Sequence, residues 1–279
     1  MPPQTEFHPA ERPGEPASRP RGGPIRLARL AGRGVARAAG SIADLLVPPV
    51  CVNCRTPLTD HHTLCAQCWQ TVDFIRHPLC DRLGIPLPFD PGGIVVSAEA
   101  LAHPPAFDRA RAVARYGGTL RDMIHGLKYG DQHHALSLFG RWLALAAADL
   151  LPGTDLIVPV PLAYWRLWRR RFNQAALLAD ELSRATGIRH DPMLLRRTRA
   201  TETQVGKSLD QRRRNVEGAF AVPRRARRRI EGRNVLLVDD VITTGSTVEA
   251  ATRALRRAGA ARVDVVALAR VTGDVPANA

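Results

Sequence analysis

Two adjacent carboxylates, Asp239 and Asp240, close the apolar run Val235-Leu236-Leu237-Val238. Thr243-Thr244-Gly245-Ser246-Thr247 follows, and then a helical pattern with Val248, Ala251 and Leu255 on one face and Gly259 as its stop. A buried parallel strand that ends in acids and feeds a helix puts its loop at the carboxyl end of a sheet, where open α/β sheets bind ligands. The helix N-terminus offers free N–H groups and partial positive charge to a phosphate. Gly245 lets the backbone wrap closely around the anion, and the hydroxyls of Thr243, Thr244, Ser246 and Thr247 add donors. Asp239 and Asp240 stand where they accept hydrogen bonds from two sugar hydroxyls. The stretch therefore fits a sugar 5-phosphate. A single carboxylate before such a loop would read as an N-cap and an ordinary turn; two before five hydroxyl or glycine residues do not.

A second constellation is Cys51-x-x-Cys54 with Cys65-x-x-Cys68, separated by ten residues. Two such knuckles place four thiolates around one tetrahedral Zn²⁺, with iron or metal-free thiols as the alternatives. A metal there stabilises a module too small to fold on its own core. His61, His62 and His77 lie near enough in sequence to substitute as ligands, and Cys80 is left as an orphan or a small buried hydrophobe. Five cysteines, with no apolar leader pattern in residues 1–24, argue against a disulfide framework and set a cytoplasmic expectation. Trp69 stands beside the knuckles with little basic charge, which favours scaffolding or partner contact over base readout.

These groups need elements to hold them. Ala110–Tyr116, Leu156–Pro161, Val235–Val238 and Arg262–Ala269 read as strands; Leu120–Tyr129, Leu136–Leu150, Asn173–Thr186 and Ser246–Ala258 read as helices. Alternation of the two implies a parallel sheet with helices on its faces. Residues 1–46 read as a disordered basic tail with a loose helix from Ile25, 47–93 as the cysteine module ending in a Pro/Gly linker, 94–271 as the α/β domain and 272–279 as a C-terminal tail. No repeat is evident beyond the two Cys-x-x-Cys units.

Of the 279 residues, 40 are Lys or Arg and 26 Asp or Glu, and the 45% hydrophobic content supports a real core. No apolar run approaches the length of a membrane span. Residues 164–233 hold nineteen Lys+Arg against seven Asp+Glu, a net +12. A phosphorylated small molecule or a nucleic acid would suit that segment, and a solvated arginine surface would explain the run at 224–229 equally well.

The Val235–Thr247 stretch matches the phosphoribosyl-diphosphate motif of type I phosphoribosyltransferases, and the chain over 47–271 resembles the ComF family. Tyr116-Gly117-Gly118-Thr119-Leu120-Arg121 with Leu127-Lys128-Tyr129, Val158-Pro159-Val160-Pro161-Leu162, Arg170-Arg171-Phe172-Asn173-Gln174, Thr203-Gln204 and Arg213-Arg214-Asn215-Val216 carry the resemblance in order. The resemblance implies the type I phosphoribosyltransferase fold with an N-terminal zinc ribbon. It implies 5-phosphoribosyl-1-diphosphate and Mg²⁺ as ligands, with Asp239 and Asp240 as the catalytic carboxylates. Backbone N–H groups of Leu162 and Ala163, with Arg170, are the expected diphosphate site; Arg171 stands where the family usually has Gly. Asn173 and Gln174 either cap the next helix or touch ligand. Lys128 either reaches the diphosphate or is a surface lysine. Residues 197–213 resemble the mobile loop that covers this kind of site, bringing Lys207 or an arginine over the diphosphate, or form an ordinary exposed loop. The family pattern continues with another Cys-x-x-Cys, but Leu83 stands where its second cysteine is expected.

Two functions follow from the resemblance. One is an enzyme that transfers phosphoribosyl to a nitrogen nucleophile. The other is an accessory factor in DNA uptake, working with single-stranded DNA, a helicase or other competence proteins.

Overall fold

The computed structural model describes residues 48–90, 92–130, 133–198 and 218–272. The chain divides into Met1–Pro48 and Pro49–Ala279, and the description concerns the second unit. Four parallel strands form its sheet: β1 (Ala110–Arg115), β2 (Leu156–Pro159), β5 (Asn234–Ile242) and β6 (Arg262–Arg270), in the order β1-β6-β5-β2. Val235, Leu236, Leu237 and Val238 are all buried. β5 lies between two neighbours and is covered on both faces, so its sequence is continuously apolar instead of alternating. Each such side chain removed from water is worth about 1.5–3 kcal/mol.

Helices α3 (Gly118–Tyr129), α4 (Leu136–Ala146) and α6 (Gln174–Thr186) cover one face, where Leu236 and Val238 point. Helix α7 (Ser246–Arg257) covers the other with Val235 and Leu237, beside a two-stranded ribbon of β3 (Arg196–Arg197) and β4 (Phe220–Ala221). α6 ends as its sequence predicts: Gly187 is left-handed at φ 74° and donates to Ser183 O at 2.8 Å. Sequence periodicity missed helix α5 (Tyr164–Arg170), whose Tyr164, Leu167 and Trp168 face solvent instead of the core.

The cysteine segment folds as two ribbons, not one ribbon and a linker. In the first, Cys51 N donates to Thr56 O (2.8 Å), Arg55 N to Cys51 O (3.0 Å) and Leu58 N to Pro49 O (2.9 Å). In the second, Cys80 N donates to Ile85 O (2.9 Å), Gly84 N to Cys80 O (2.8 Å) and Leu87 N to Pro78 O (2.9 Å). The pattern repeats with an offset of 29 residues, down to the positive φ at Arg55 (66°) and Gly84 (63°). Each ribbon then leads into a one-turn helix, α1 (Ala66–Gln70) and α2 (Ala98–Ala102), capped by Cys65 and Ser97 respectively.

The ribbons straddle the free edge of β1. Ile75 N donates to Val113 O at 3.0 Å and Arg115 N to Asp73 O at 2.8 Å, so the end of the first ribbon covers that edge. On the second ribbon, Ala110 N donates to Arg82 O at 2.8 Å. A Cβ at Gly84 would stand 2.1 Å from Ala110 O, so only glycine permits the approach. Buried Arg111 fastens the same ribbon, donating to Asp81 O (2.7 Å) and to Asp149 Oδ2 (2.5 Å). Among the described residues no helix is long and apolar enough to cross a membrane.

Candidate functional site

β5 extends to Ile242, so Asp239 and Asp240 are its last residues but two, at the carboxyl end of the sheet. Alternation along the strand sends them to opposite faces. Asp240 shares the side of Val238 and meets Lys128 from α3, Nζ to Oδ2 at 2.8 Å. Burial by itself would lower Lys128, but Asp240 and, behind it, Asp239 hold it above its ordinary value. Lys128 is thus no solvated surface lysine. Asp239 is pushed up to about 8, chiefly by desolvation and then by the neighbouring Asp240 charge, with Lys128 and Arg197 pulling the other way. The amide of Asp240 donates to Asp239 Oδ1 at 2.9 Å.

The loop after the acids turns at Gly245, which is left-handed (φ 76°) and serves as the N-cap of α7. No neighbouring atom crowds Gly245, so its φ is what requires glycine. No side chain caps α7, which leaves its first N–H groups for another partner. Thr244 Oγ1 and Ser246 Oγ lie 2.9 Å apart; Ser246 is buried and Thr247 half-buried.

The second loop expected at the site, Pro161–Ala163, joins β2 to α5 one strand away. Val160 N donates to Val238 O at 2.9 Å, holding this loop beside the acids. Leu162 is half-buried and Ala163 buried at the start of α5. Arg170 turns toward α3: Nη2 donates to Tyr129 Oη at 2.8 Å and the guanidinium lies 4.8 Å from the ring centroid. Arg171 adopts φ 64°, the left-handed shape a glycine would take without cost. Asn173 is the cap of α6, accepting from Ala175 N (3.2 Å) and donating to Val160 O (3.0 Å). Gln174 is buried, and neither of its amide atoms has a partner among the described residues. Lys207 lies outside the described residues, as does most of 197–213.

Cys51, Cys54, Cys65 and Cys68 bring four sulfurs within 4.8 Å of one another. Four sulfurs around tetrahedral Zn²⁺ sit roughly 3.8 Å apart for Zn–S bonds near 2.3 Å, so the set fits that ion. N–H groups support the thiolates: Cys65 N donates to Cys51 Sγ at 3.3 Å, Cys68 N to Cys65 Sγ at 3.4 Å and Asn53 Nδ2 to Cys68 Sγ at 3.5 Å. The Thr56 hydroxyl brings Cys54 down to about 6, while burial pushes Cys68 up to about 11. His62 instead faces His134 O at 3.1 Å.

The second ribbon repeats this geometry without the ligands. Ser97 N donates to Cys80 Sγ at 3.2 Å, as Cys65 N does to Cys51, and Ala100 N donates to Ser97 Oγ at 3.4 Å, as Cys68 N does to Cys65. Leu83, Ser97 and Ala100 thus stand where the first ribbon has Cys54, Cys65 and Cys68. One thiol, a hydroxyl and two hydrocarbons do not make a zinc site. The 29-residue offset between Pro49-Val50-Cys51 and Pro78-Leu79-Cys80, with Thr56-Pro57-Leu58 against Ile85-Pro86-Leu87, was the sequence signal for this copy.

Comparison with known proteins agrees with both halves. The double zinc ribbon domain matches residues 42–99 and the phosphoribosyl transferase domain residues 174–277. "DNA utilization protein YhgH" of Escherichia coli O6:H1 is 37% identical over 81% of this chain and 99% of its own length. "Competence protein F" of Haemophilus influenzae is 33% identical over 79% of this chain and 96% of its own. "Competence protein ComFC" of Bacillus subtilis is 29% identical over 54% of this chain and 59% of its own. The parallel sheet with its acidic strand end, the four-cysteine ribbon ahead of it and relatives matched along most of their length lead to one conclusion: the chain belongs to the ComF family.

Proposed function

We propose that the chain binds 5-phosphoribosyl-1-diphosphate with Mg²⁺ at the carboxyl ends of β5 and β2 and transfers the phosphoribosyl group to a nitrogen nucleophile. The observation that carries this reading is the end of β5: two carboxylates, then a loop whose left-handed Gly245 leaves the first N–H groups of α7 unclaimed. The loop Thr243–Thr247 would take the 5-phosphate, and Asp239 and Asp240 the ribose hydroxyls. Leu162, Ala163, Arg170, Lys128 and Lys207 would face the diphosphate.

Bound Mg²⁺ supplies charge that offsets the leaving diphosphate. The nitrogen lone pair would form the new bond at the anomeric carbon as the C–O bond to diphosphate breaks; diphosphate would leave with the electron pair of that C–O bond, and the proton of the attacking nitrogen would pass to solvent. Positive charge grows on the ring beside Asp239 and Asp240, so positioning and electrostatics supply the catalysis. Lys128 keeps Asp240 neutralised until the ligand arrives.

The test is a thermal-denaturation titration. Saturating stabilisation by the phosphoribosyl diphosphate with Mg²⁺, absent with ribose, is the expected result. No stabilisation by any concentration of that ligand would overturn the reading.

A second reading has its own observation. Helix α5 presents Tyr164 (83% exposed) and Trp168 (81% exposed) on the face it shares with Arg171, within a stretch that has no acid. Exposed aromatic rings beside Arg171 suit stacking on single-stranded DNA, as an accessory factor in DNA uptake would require. Such binding would weaken steeply with salt; a flat salt response would remove it.

A further inference from the structure

Helix α3 carries Lys128 in its last turn, and both of its ends lean on the first ribbon. No side chain caps its start. There Gly118 takes φ 48° against the ribbon, where a Cβ would stand 2.5 Å from Thr71 O. The Thr71 hydroxyl donates to Cys68 O at 2.9 Å and so uses its one proton. Thr119 is therefore the donor in the 2.6 Å contact between the two hydroxyls. A chain of hydrogen bonds thus joins a cysteine of the metal set to the first turn of α3.

Past the other end of α3, His134 Nε2 donates to Val52 O at 2.9 Å, one residue from Cys51. His62 Nδ1 donates in turn to His134 O at 3.1 Å, and Arg141 Nη2 to His62 O at 2.7 Å. Between these attachments, Leu120, Ile124 and Leu127 of α3 share one buried cluster with Cys51, Val52 and Cys68. Lys128 follows Leu127 directly and reaches Asp240 at 2.8 Å. A four-cysteine ribbon takes its rigidity from the metal, because its short loops have no sufficient core of their own. Closing the ribbon around a metal therefore fixes Thr71 and Val52, and with them the helix that carries Lys128.

We propose that Thr119 and His134 are positioning residues that carry the metal-closed shape of the first ribbon along α3 to Lys128 and Asp240, so that metal in the ribbon and the phosphoribosyl ligand at the sheet end bind cooperatively. The cooperativity rests on the phosphoribosyl reading above; the hold of the ribbon on Lys128 does not. Coupling between two sites is reciprocal. A ligand that needs the Lys128–Asp240 end in place must raise the affinity of the ribbon for its metal by the same factor that the metal raises its own.

The test uses the full, zinc-loaded chain and has two arms. The chain has two lysines, Lys128 and Lys207, so acylation of Lys128 by acetic anhydride can be read by mass spectrometry against Lys207 without any ligand. In Thr119→Val/His134→Ala, Lys128 should react about five-fold faster or more, the lower end of ordinary coupling, at unchanged zinc content. Thr119→Ser/His134→Gln, which keeps a donor at each place, should restore the native rate. Equal rates in the three proteins overturn the hold of the ribbon on Lys128. Native protein stripped of zinc by a chelator gives a second measurement: Lys128 should react faster while the amides of β5 and β6 stay protected from hydrogen exchange. An unchanged rate, or one that rises only with loss of that protection, overturns the route through α3.

In the second arm, zinc affinity is measured by competition with a chromogenic chelator. 5-Phosphoribosyl-1-diphosphate with Mg²⁺ should raise it about five-fold or more in the native chain, and not in Asp239→Asn/Asp240→Asn, which controls for zinc taken up by the ligand itself. If calorimetry shows the ligand bound while zinc affinity is unchanged, the cooperativity falls and the phosphoribosyl reading stands. If the ligand does not bind, that reading and the cooperativity fall together, and the acylation arm still decides whether the ribbon positions Lys128.

Discussion

Lys128 Nζ stands 2.8 Å from Asp240 Oδ2, tying the end of α3 to the end of β5. Both side chains are about four-fifths buried, so each is the main counter-charge of the other. The acidic end of β5 is thereby held in place before a ligand arrives.

Lys128→Met should therefore destabilise the fold by about 1–3 kcal/mol, because it leaves Asp240 short of its partner. Adding Asp240→Asn should recover part of the loss. Chemical denaturation of the four proteins of this cycle measures the coupling. Strictly additive losses would show that the pair does not act as a unit.

Asp239 gives a pH dependence whose sign is fixed. Its folded value is raised to about 8 by desolvation and by Asp240. The stability it contributes is then fully present below the ordinary carboxylate value near 4 and is lost as pH rises through about 8. Native protein should denature more readily at pH 9 than at pH 6. Asp239→Asn should flatten that slope and gain about 1–2 kcal/mol at pH 9, at the expense of the proposed ligand. An unchanged slope in the variant would contradict this account of Asp239.

Arg171 holds a left-handed backbone at φ 64°. Arg171→Gly should remove the strain of a side chain in that region. Offset by the greater freedom of glycine in the unfolded chain, the net gain is about 0.5–1 kcal/mol. Denaturation midpoints check it. A loss of stability would mean that the Arg171 side chain makes a contact worth more than its strain.

The two ribbons should respond differently to cysteine removal. Cys54→Ser should lose the zinc and loosen residues 51–72, read by elemental analysis and hydrogen exchange. Cys80→Ser should keep the zinc, since its ribbon lacks the other three ligands. Zinc retained in the first variant, or lost in the second, would reverse the assignment.

What the sequence made legible was what lies close together along it. Val235–Thr247 carries strand, acids, loop and helix start in one stretch, so its local pattern is enough. Lys128 was ambiguous because its partner is more than a hundred residues away, and only the packing of α3 against β5 decides between solvent and Asp240. The second ribbon is hidden in the sequence because Leu83, Ser97 and Ala100 stand at three of its four ligand-equivalent positions, so cysteine spacing does not mark it. What persists there is backbone: turns at Gly84 and Arg55, and Ser97 capping α2 as Cys65 caps α1. Helix α5 escaped because it spans only 7 residues, too few for a periodic pattern to stand out, and its Tyr164, Leu167 and Trp168 face solvent.

The measurement that bears most directly on the central claim is calorimetric titration of the full chain with 5-phosphoribosyl-1-diphosphate and Mg²⁺, beside the Asp239→Asn/Asp240→Asn variant. The account predicts one site per chain in the native protein and an affinity lower by roughly a hundred-fold or more in the variant, as expected for losing two charge-assisted hydrogen bonds. Equal affinity in the two proteins, or no heat of binding in a native protein whose fold is intact, would contradict it.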